Sequence, residues 1–198
     1  MNATTESRRK GRRTLIGLFA LFLAPLLFAM AWYAFAPAYT PPATPNGTLI
    51  DPAQPLEPFR LESGAGETLT LEGLRGQWYL VHFVPDRCDA ACRERLYETR
   101  QVRDALGEDR SRVRRLVVAG AGRATPGLAD VLEEHPRLLV MRGDGRGEFG
   151  RQFPAERSAD TVFVVDPLGN LMMRFEPGIP PGDMLKDLEK LLKLSRIG

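Results

Sequence analysis

The chain has 198 residues, 43% apolar and 26% charged, with 27 basic side chains against 25 acidic ones, which excludes a disordered tail and a polytopic channel. The balance is uneven: residues 1–36 carry five basic and one acidic side chain, leaving 22 basic against 24 acidic, a body that is a poor nucleic-acid binder. Two cysteines, four positions apart, exclude a disulfide scaffold and a four-thiolate zinc site.

Residues 14–50 contain no charged side chain. Within them, residues 15–36 (LIGLFALFLAPLLFAMAWYAFA) form an apolar run of 22, about 33 Å as a helix and enough for a hydrocarbon layer of roughly 30 Å. Trp32 and Tyr33 sit near its far end, as interfacial rings do. Five positive charges in Ser7-Arg8-Arg9-Lys10-Gly11-Arg12-Arg13 precede the run and no such cluster follows it, so the N-terminus is expected in the cytoplasm and the body outside. A cleaved signal peptide is the alternative, but the run exceeds the usual apolar core of about 7–15 residues, and Pro37 follows the small-residue site Ala34-Phe35-Ala36.

Six prolines fall in residues 37–56, the composition of a stiff spacer. The expected plan is therefore a cytoplasmic tail (1–14), a single membrane span (15–36), a Pro-rich linker (37–56) and one folded domain (57–198). Anchor polarity puts that domain outside the cytoplasm, and the expected location is a bacterial inner membrane with the domain in the periplasm.

Residues 77–84 (QWYLVHFV) read as a strand buried on both faces. Residues 91–106 read as a helix, with Cys92, Leu96, Thr99 and Leu106 on one stripe and Gly107 as its stop. Residues 115–120 form a second buried strand, 127–134 a short helix, 137–141 a third strand, and 148–153 a helical turn. Residues 161–165 and 171–175 flank Asp166-Pro167-Leu168-Gly169-Asn170, a turn that makes them an antiparallel hairpin. Residues 180–194 close the chain as an amphipathic helix bearing Met184, Leu185, Leu188, Leu191 and Leu192. Alternating strands and helices that end in a hairpin and a helix predict an α/β fold, a thioredoxin-type mixed sheet flanked by helices.

Cys88 and Cys92 fall after the first buried strand, at the entrance to the first long helix. The carboxyl ends of strands present reactive groups in open α/β sheets, and a helix N-terminus favours thiolate. Arg87 and Arg93 push in the same direction, while Asp86 and Asp89 oppose it. Spacing i, i+4 stacks the sulfurs on one face with Cα atoms about 6 Å apart, within disulfide reach. The same geometry holds a soft ion such as Cu(I) between two thiolates. Cys92 continues the apolar stripe and is expected buried; Cys88 is expected to be exposed and attacking. A plain stabilising bridge is the other reading, although so short a loop gains little from closure.

The run from Gly76 to Cys92, GQWYLVHFVPDRCDAAC, resembles the Sco/SenC family of membrane-anchored, thioredoxin-like proteins, in which a hydrophobic strand leads into CxxxC. The likeness extends to Thr161–Gly169 (TVFVVDPLG), the final helix, and the anchor with its spacer. The resemblance implies a role in building the copper centre of cytochrome c oxidase, by delivering copper or keeping target cysteines reduced. It also implies an oxidase subunit or another assembly factor as partner, and Cys88 and Cys92 as copper ligands.

Two departures matter. The family has Pro after the first Cys, where this chain has Asp89. It also places a third-ligand His before the penultimate strand, and counting back from Asp166-Pro167 that position falls near Ser158, in Arg157-Ser158-Ala159-Asp160. Without that imidazole Cu(II) is expected to bind poorly, which favours thiol–disulfide exchange or Cu(I) held by two sulfurs. The Pro that thioredoxins carry before that strand is missing as well.

Other candidates have plain readings. His82 lies inside the buried strand as a core histidine, His135 at a helix end as a solvated cap, and Met172-Met173 points to opposite faces. Gly143, Gly145 and Gly147 lack the Lys-Ser/Thr of a phosphate loop. Three functions remain open: an exported thiol–disulfide oxidoreductase in which Cys88 attacks and Cys92 resolves, a Cu(I) chaperone, and an interaction module with an inert bridge.

Overall fold

The computed structural model describes residues 3–35, 45–84, 87–120, 125–143, 147–195 and 197. The chain forms two units, Met1–Thr44 and Pro45–Gly198. In the first, α1 (Ala3–Phe35) carries Pro25 inside it. Its apolar stretch Leu15–Trp32 exposes every side chain, and it is long and apolar enough to cross a membrane. Residues 36–44, much of the expected linker, lie outside the described residues.

The second unit begins earlier than expected. Residues 48–55, assigned from sequence to the spacer, form strand β1 (Thr48–Pro55), antiparallel to β8 (Asn170–Phe175). The register slips between Leu49 and Gln54, so Pro52 falls in an irregular stretch of an edge strand, where proline costs no ladder hydrogen bond. Then follow β2 (Arg60–Ser63), β3 (Thr68–Thr70) and the one-turn α2 (Leu71–Leu74), none of them expected.

The remaining elements match expectation within two residues at each end. They are β4 (Trp78–Val84), α3 (Ala90–Ala105), β5 (Val113–Ala119), α4 (Leu128–Glu134), β6 (Leu138–Arg142), β7 (Val162–Val165), β8 and α5 (Pro181–Leu194). A 3-10 turn (Gly107–Arg112) follows α3, and another (Gly150–Gln152) stands where the helical turn was expected.

The described strands make one sheet in the order β1-β8-β7-β4-β5-β6-β2-β3. β4, β5 and β6 run parallel, while β7, β8, β1, β2 and β3 join antiparallel. β4 is buried along its whole length, as a charge-free central strand must be. Its side chains alternate: Tyr79, Val81 and Phe83 enter the core that holds α2 and the Phe149/Phe153 turn, while Trp78 and Leu80 face α3 and α5. Phe83 meets Phe153 and Phe163 edge-on, at 5.0 and 5.9 Å between ring centroids. Such pairs contribute about 0.5–1.5 kcal/mol beyond area burial and fix residues 149–153 to the sheet.

Candidate functional site

β4 delivers the chain to Cys88 at its carboxyl end, and α3 starts two residues later. Asp89 caps α3, its Oδ1 accepting the Cys92 N–H at 3.0 Å, which satisfies one of the helix's unpaired donors. The Asp that departs from the resembled family's proline thus sets the start of the helix. One turn of α3 brings the two residues together, and Cys88 and Cys92 form a disulfide with Cα atoms 5.2 Å apart.

Both residues are buried, Cys88 at 2% and Cys92 at 1% exposure. Cys92 lies as expected on the apolar stripe, with Leu96. Cys88 does not have the exposure expected of an attacking thiol. The segment before α4 covers it: the Cys88 N–H donates to the Pro126 carbonyl at 2.9 Å, and Gly127 lies against the Cys88 carbonyl. Arg93 donates to that same carbonyl at 3.3 Å. The signal for this cover was the turn sequence Thr125-Pro126-Gly127, of which the sequence reading assigned only Gly127, as the first residue of a helix. Arg87 and Asp89 remain exposed beside the pair, while Asp86 lies outside the described residues.

The residues tested as third ligands do not complete a metal shell. Among the described residues no group of three or more His, Cys, Asp or Glu gathers to hold an ion. Ser158 is exposed and bonds within its own loop, its hydroxyl 3.1 Å from that of Thr161. A three-ligand copper centre does not fit this arrangement: among the described residues the soft donors at the site are the two sulfurs.

His82 is the core histidine expected, 1% exposed, with Nε2 at 3.2 Å from the Thr99 hydroxyl. Thr99 also reaches the Arg95 and Leu96 carbonyls, so its single proton is engaged there and His82 donates from Nε2. Burial, then the charges of Arg115 and Arg95, push its pKa down to about 3, so the ring is neutral. His135 is not the solvated cap expected. It is 2% exposed, and its Nδ1 faces Arg115 at 3.4 Å, with burial pushing its pKa down to about 4. Met173 is buried and Met172 half-buried, on alternate positions of β8.

Two buried arginines escaped the sequence reading. Arg95 on α3 donates to the carbonyls of Asp160, Glu176 and Ile179, tying the helix to the loops either side of the β7–β8 hairpin. Arg115 sits on β5 beside exposed Arg114, and strand alternation, which turns the second of the two adjacent arginines to the buried face, was the available signal.

Structures with this fold include yeast Sco1 with copper bound, at TM-score 0.61 and 17% identity, covering 72% of this chain and 94% of that one. Arabidopsis thaliana ScoI with copper bound gives 0.58 and 18%, over 70% and 98%. BsSco, described as a Sco-family cytochrome c oxidase assembly protein with a disulfide switch, gives 0.55 and 18%, over 75% and 99%. At these identities the likeness is one of fold. No curated protein matches the chain in sequence. Residues 78–195 match the family described as transmembrane-like, thioredoxin-like, C-terminal domain; they make up more than half of the chain, and the chain belongs to that family.

Proposed function

We propose that this protein is anchored in a bacterial inner membrane by residues 15–36, with its N-terminus cytoplasmic and its folded domain periplasmic. There it assists assembly of the copper centre of cytochrome c oxidase by thiol–disulfide exchange at Cys88 and Cys92. The observation that carries the reading is a bonded cysteine pair where the central strand hands over to the first long helix of a thioredoxin-like sheet. The likeness to Sco structures supports the oxidase assignment.

In the reduced protein the Cys88 thiolate attacks a target disulfide, forming a mixed disulfide and releasing one target thiol. The Cys92 thiolate then attacks Cys88 Sγ, releasing the second target thiol and closing the Cys88–Cys92 bridge. Two electrons pass to the target, and an exported dithiol reductant restores the pair. The N-terminus of α3 and the Arg93 guanidinium stabilise the thiolates. Exchange requires the 125–127 turn to lift from Cys88.

The test is a redox titration of the full chain in non-ionic detergent. A potential above about −300 mV, with a trapped mixed disulfide in Cys92→Ser, supports exchange. A potential far below that value marks a static bridge and overturns the proposal. The copper-bound relatives favour a second reading, in which the reduced pair carries one Cu(I) as cargo. One-to-one Cu(I) binding that is lost in Cys88→Ser, without any trapped mixed disulfide, selects it.

A further inference from the structure

Arg115 presents a problem of charge. Its residue is 2% exposed, yet its guanidinium forms no ion pair with any described carboxylate. Nη1 donates to the Leu96 carbonyl at 3.0 Å and faces His135 Nδ1 at 3.4 Å, while the buried Nε has no partner. Both acceptors are neutral. A buried charge normally has an opposite charge beside it, because desolvation costs several kcal/mol per ion by order of magnitude. Here the neighbours make matters worse: burial, then Arg103, lower the pKa to about 10, so the group still carries its charge near neutrality.

Arg115 forms part of the lining of a cleft of about 330 Å³. The cleft lies between the second half of α3 and the turn from α4 into β6. Its walls carry Arg100, Arg103 and Arg137 besides Arg115, against the carboxylates of Asp104 and Glu134. Asp104 is spent on Arg103 at 3.6 Å, and Arg100 is held by the Glu134 backbone carbonyl. Arg137 makes no hydrogen bond or ion pair among the described residues and is exposed. Four guanidinium groups around one opening, the innermost lacking an anion, form a built receptor: planar forks bind carboxylate and phosphate oxygens in pairs.

We propose that this cleft binds a small multivalent oxyanion, a diphosphate or a polycarboxylate, with Arg115 at its base and Arg103 and Arg137 at its mouth. The site is separate from the cysteine pair. It lies by the amino ends of β5 and β6, whereas Cys88 follows the carboxyl end of β4, which runs parallel to β5. From Cys92 to Arg103 along α3 is about 16 Å of helix. The proposal does not depend on the redox reading.

Calorimetric titration of the full chain in non-ionic detergent, at fixed chloride, with pyrophosphate and separately with citrate, tests it. Saturable one-to-one binding of either anion, with a dissociation constant below about 1 mM, is expected. Arg137→Ser, at an exposed position that leaves packing intact, is expected to weaken that binding about tenfold. Arg60→Ser, the same charge change at an exposed position of β2 that lies beyond the carboxyl end of β6, opposite to the cleft at its amino end, is expected to leave it unchanged. Arg115→Gln is expected to abolish binding, with Arg137→Ser deciding the matter if the buried variant fails to fold. Absence of saturable binding for both anions, or equal weakening by Arg137→Ser and Arg60→Ser, overturns the proposal.

Discussion

Gly127 controls how closely the chain covers Cys88. Its φ of +77° is one that side-chain-bearing residues rarely adopt, and a Cβ there would stand 2.5 Å from the Cys88 carbonyl oxygen. Gly76 has a similar φ of +88°, but a Cβ there meets nothing within 4 Å. The two glycines therefore separate backbone strain from crowding. Gly76→Ala is expected to cost about 1 kcal/mol, the left-handed penalty alone. Gly127→Ala is expected to cost about 2–3 kcal/mol, because the turn must also move off the cysteine. Urea unfolding of both variants measures the difference. A larger loss at 127 means that the turn packs against the bonded pair in the oxidised protein and opens only transiently for exchange; equal losses mean that it does not pack there.

At the scale of elements, α3 links the cysteine pair to the cationic cleft. Asp89 and Cys92 start it, Arg95 and Thr99 hold its middle to the loops and to β4, and Arg103 ends it at the cationic cleft. The His82–Thr99 contact gives the β4–α3 pair a pH response. The folded-state pKa of His82 is lowered from 6.5 to about 3, and that of His135 from 6.5 to about 4. In that window the unfolded chain takes up protons that the folded chain refuses, so stability is complete above 6.5 and falls as the pH drops. Between about pH 5 and 6 the two histidines together give a slope of about two protons, and His82→Gln is expected to halve it. Unfolding free energies at three pH values in that range check this, and an unchanged slope would place the response elsewhere. β4, β5, α3 and α5 were legible in the sequence because an unbroken apolar run or a 3.6-residue stripe survives any tertiary context. β2 and β3, of four and three residues, carry no period to read, and β1 hid behind its prolines. The cysteine pair was legible from spacing, but not the burial of Cys88, Arg115 or His135. Their cover comes from segments distant in sequence, Pro126 over Cys88 and Leu96 against Arg115.

At the scale of the whole molecule, the boundary between tether and domain decides what an isolated domain must contain. The sequence placed it after residue 56, whereas the compact unit starts at Pro45. The added residues bring more than an edge strand. The Gly47 N–H donates to Asp187 Oδ2 at 2.8 Å and Asn46 Nδ2 donates to Oδ1 at 3.1 Å, so the start of the domain supplies hydrogen bonds to a carboxylate whose residue is 6% exposed on α5. A domain cut at residue 57 loses both donors and leaves β8 without its outer neighbour. A buried carboxylate stripped of its hydrogen bonds costs about 3 kcal/mol or more, before the open edge is counted. A fragment of residues 45–198 is therefore expected to fold cooperatively without detergent. A fragment of residues 57–198 is expected to be less stable by at least that amount, and to self-associate through the exposed β8. Restoring apolar character with Asp187→Leu in the shorter fragment is expected to recover part of the loss, because the orphaned charge is then gone. Chemical denaturation and sedimentation of the three proteins decide the point. Equal stability of the two fragments would return residues 45–56 to the tether, and with them the reading of β1 as part of the fold.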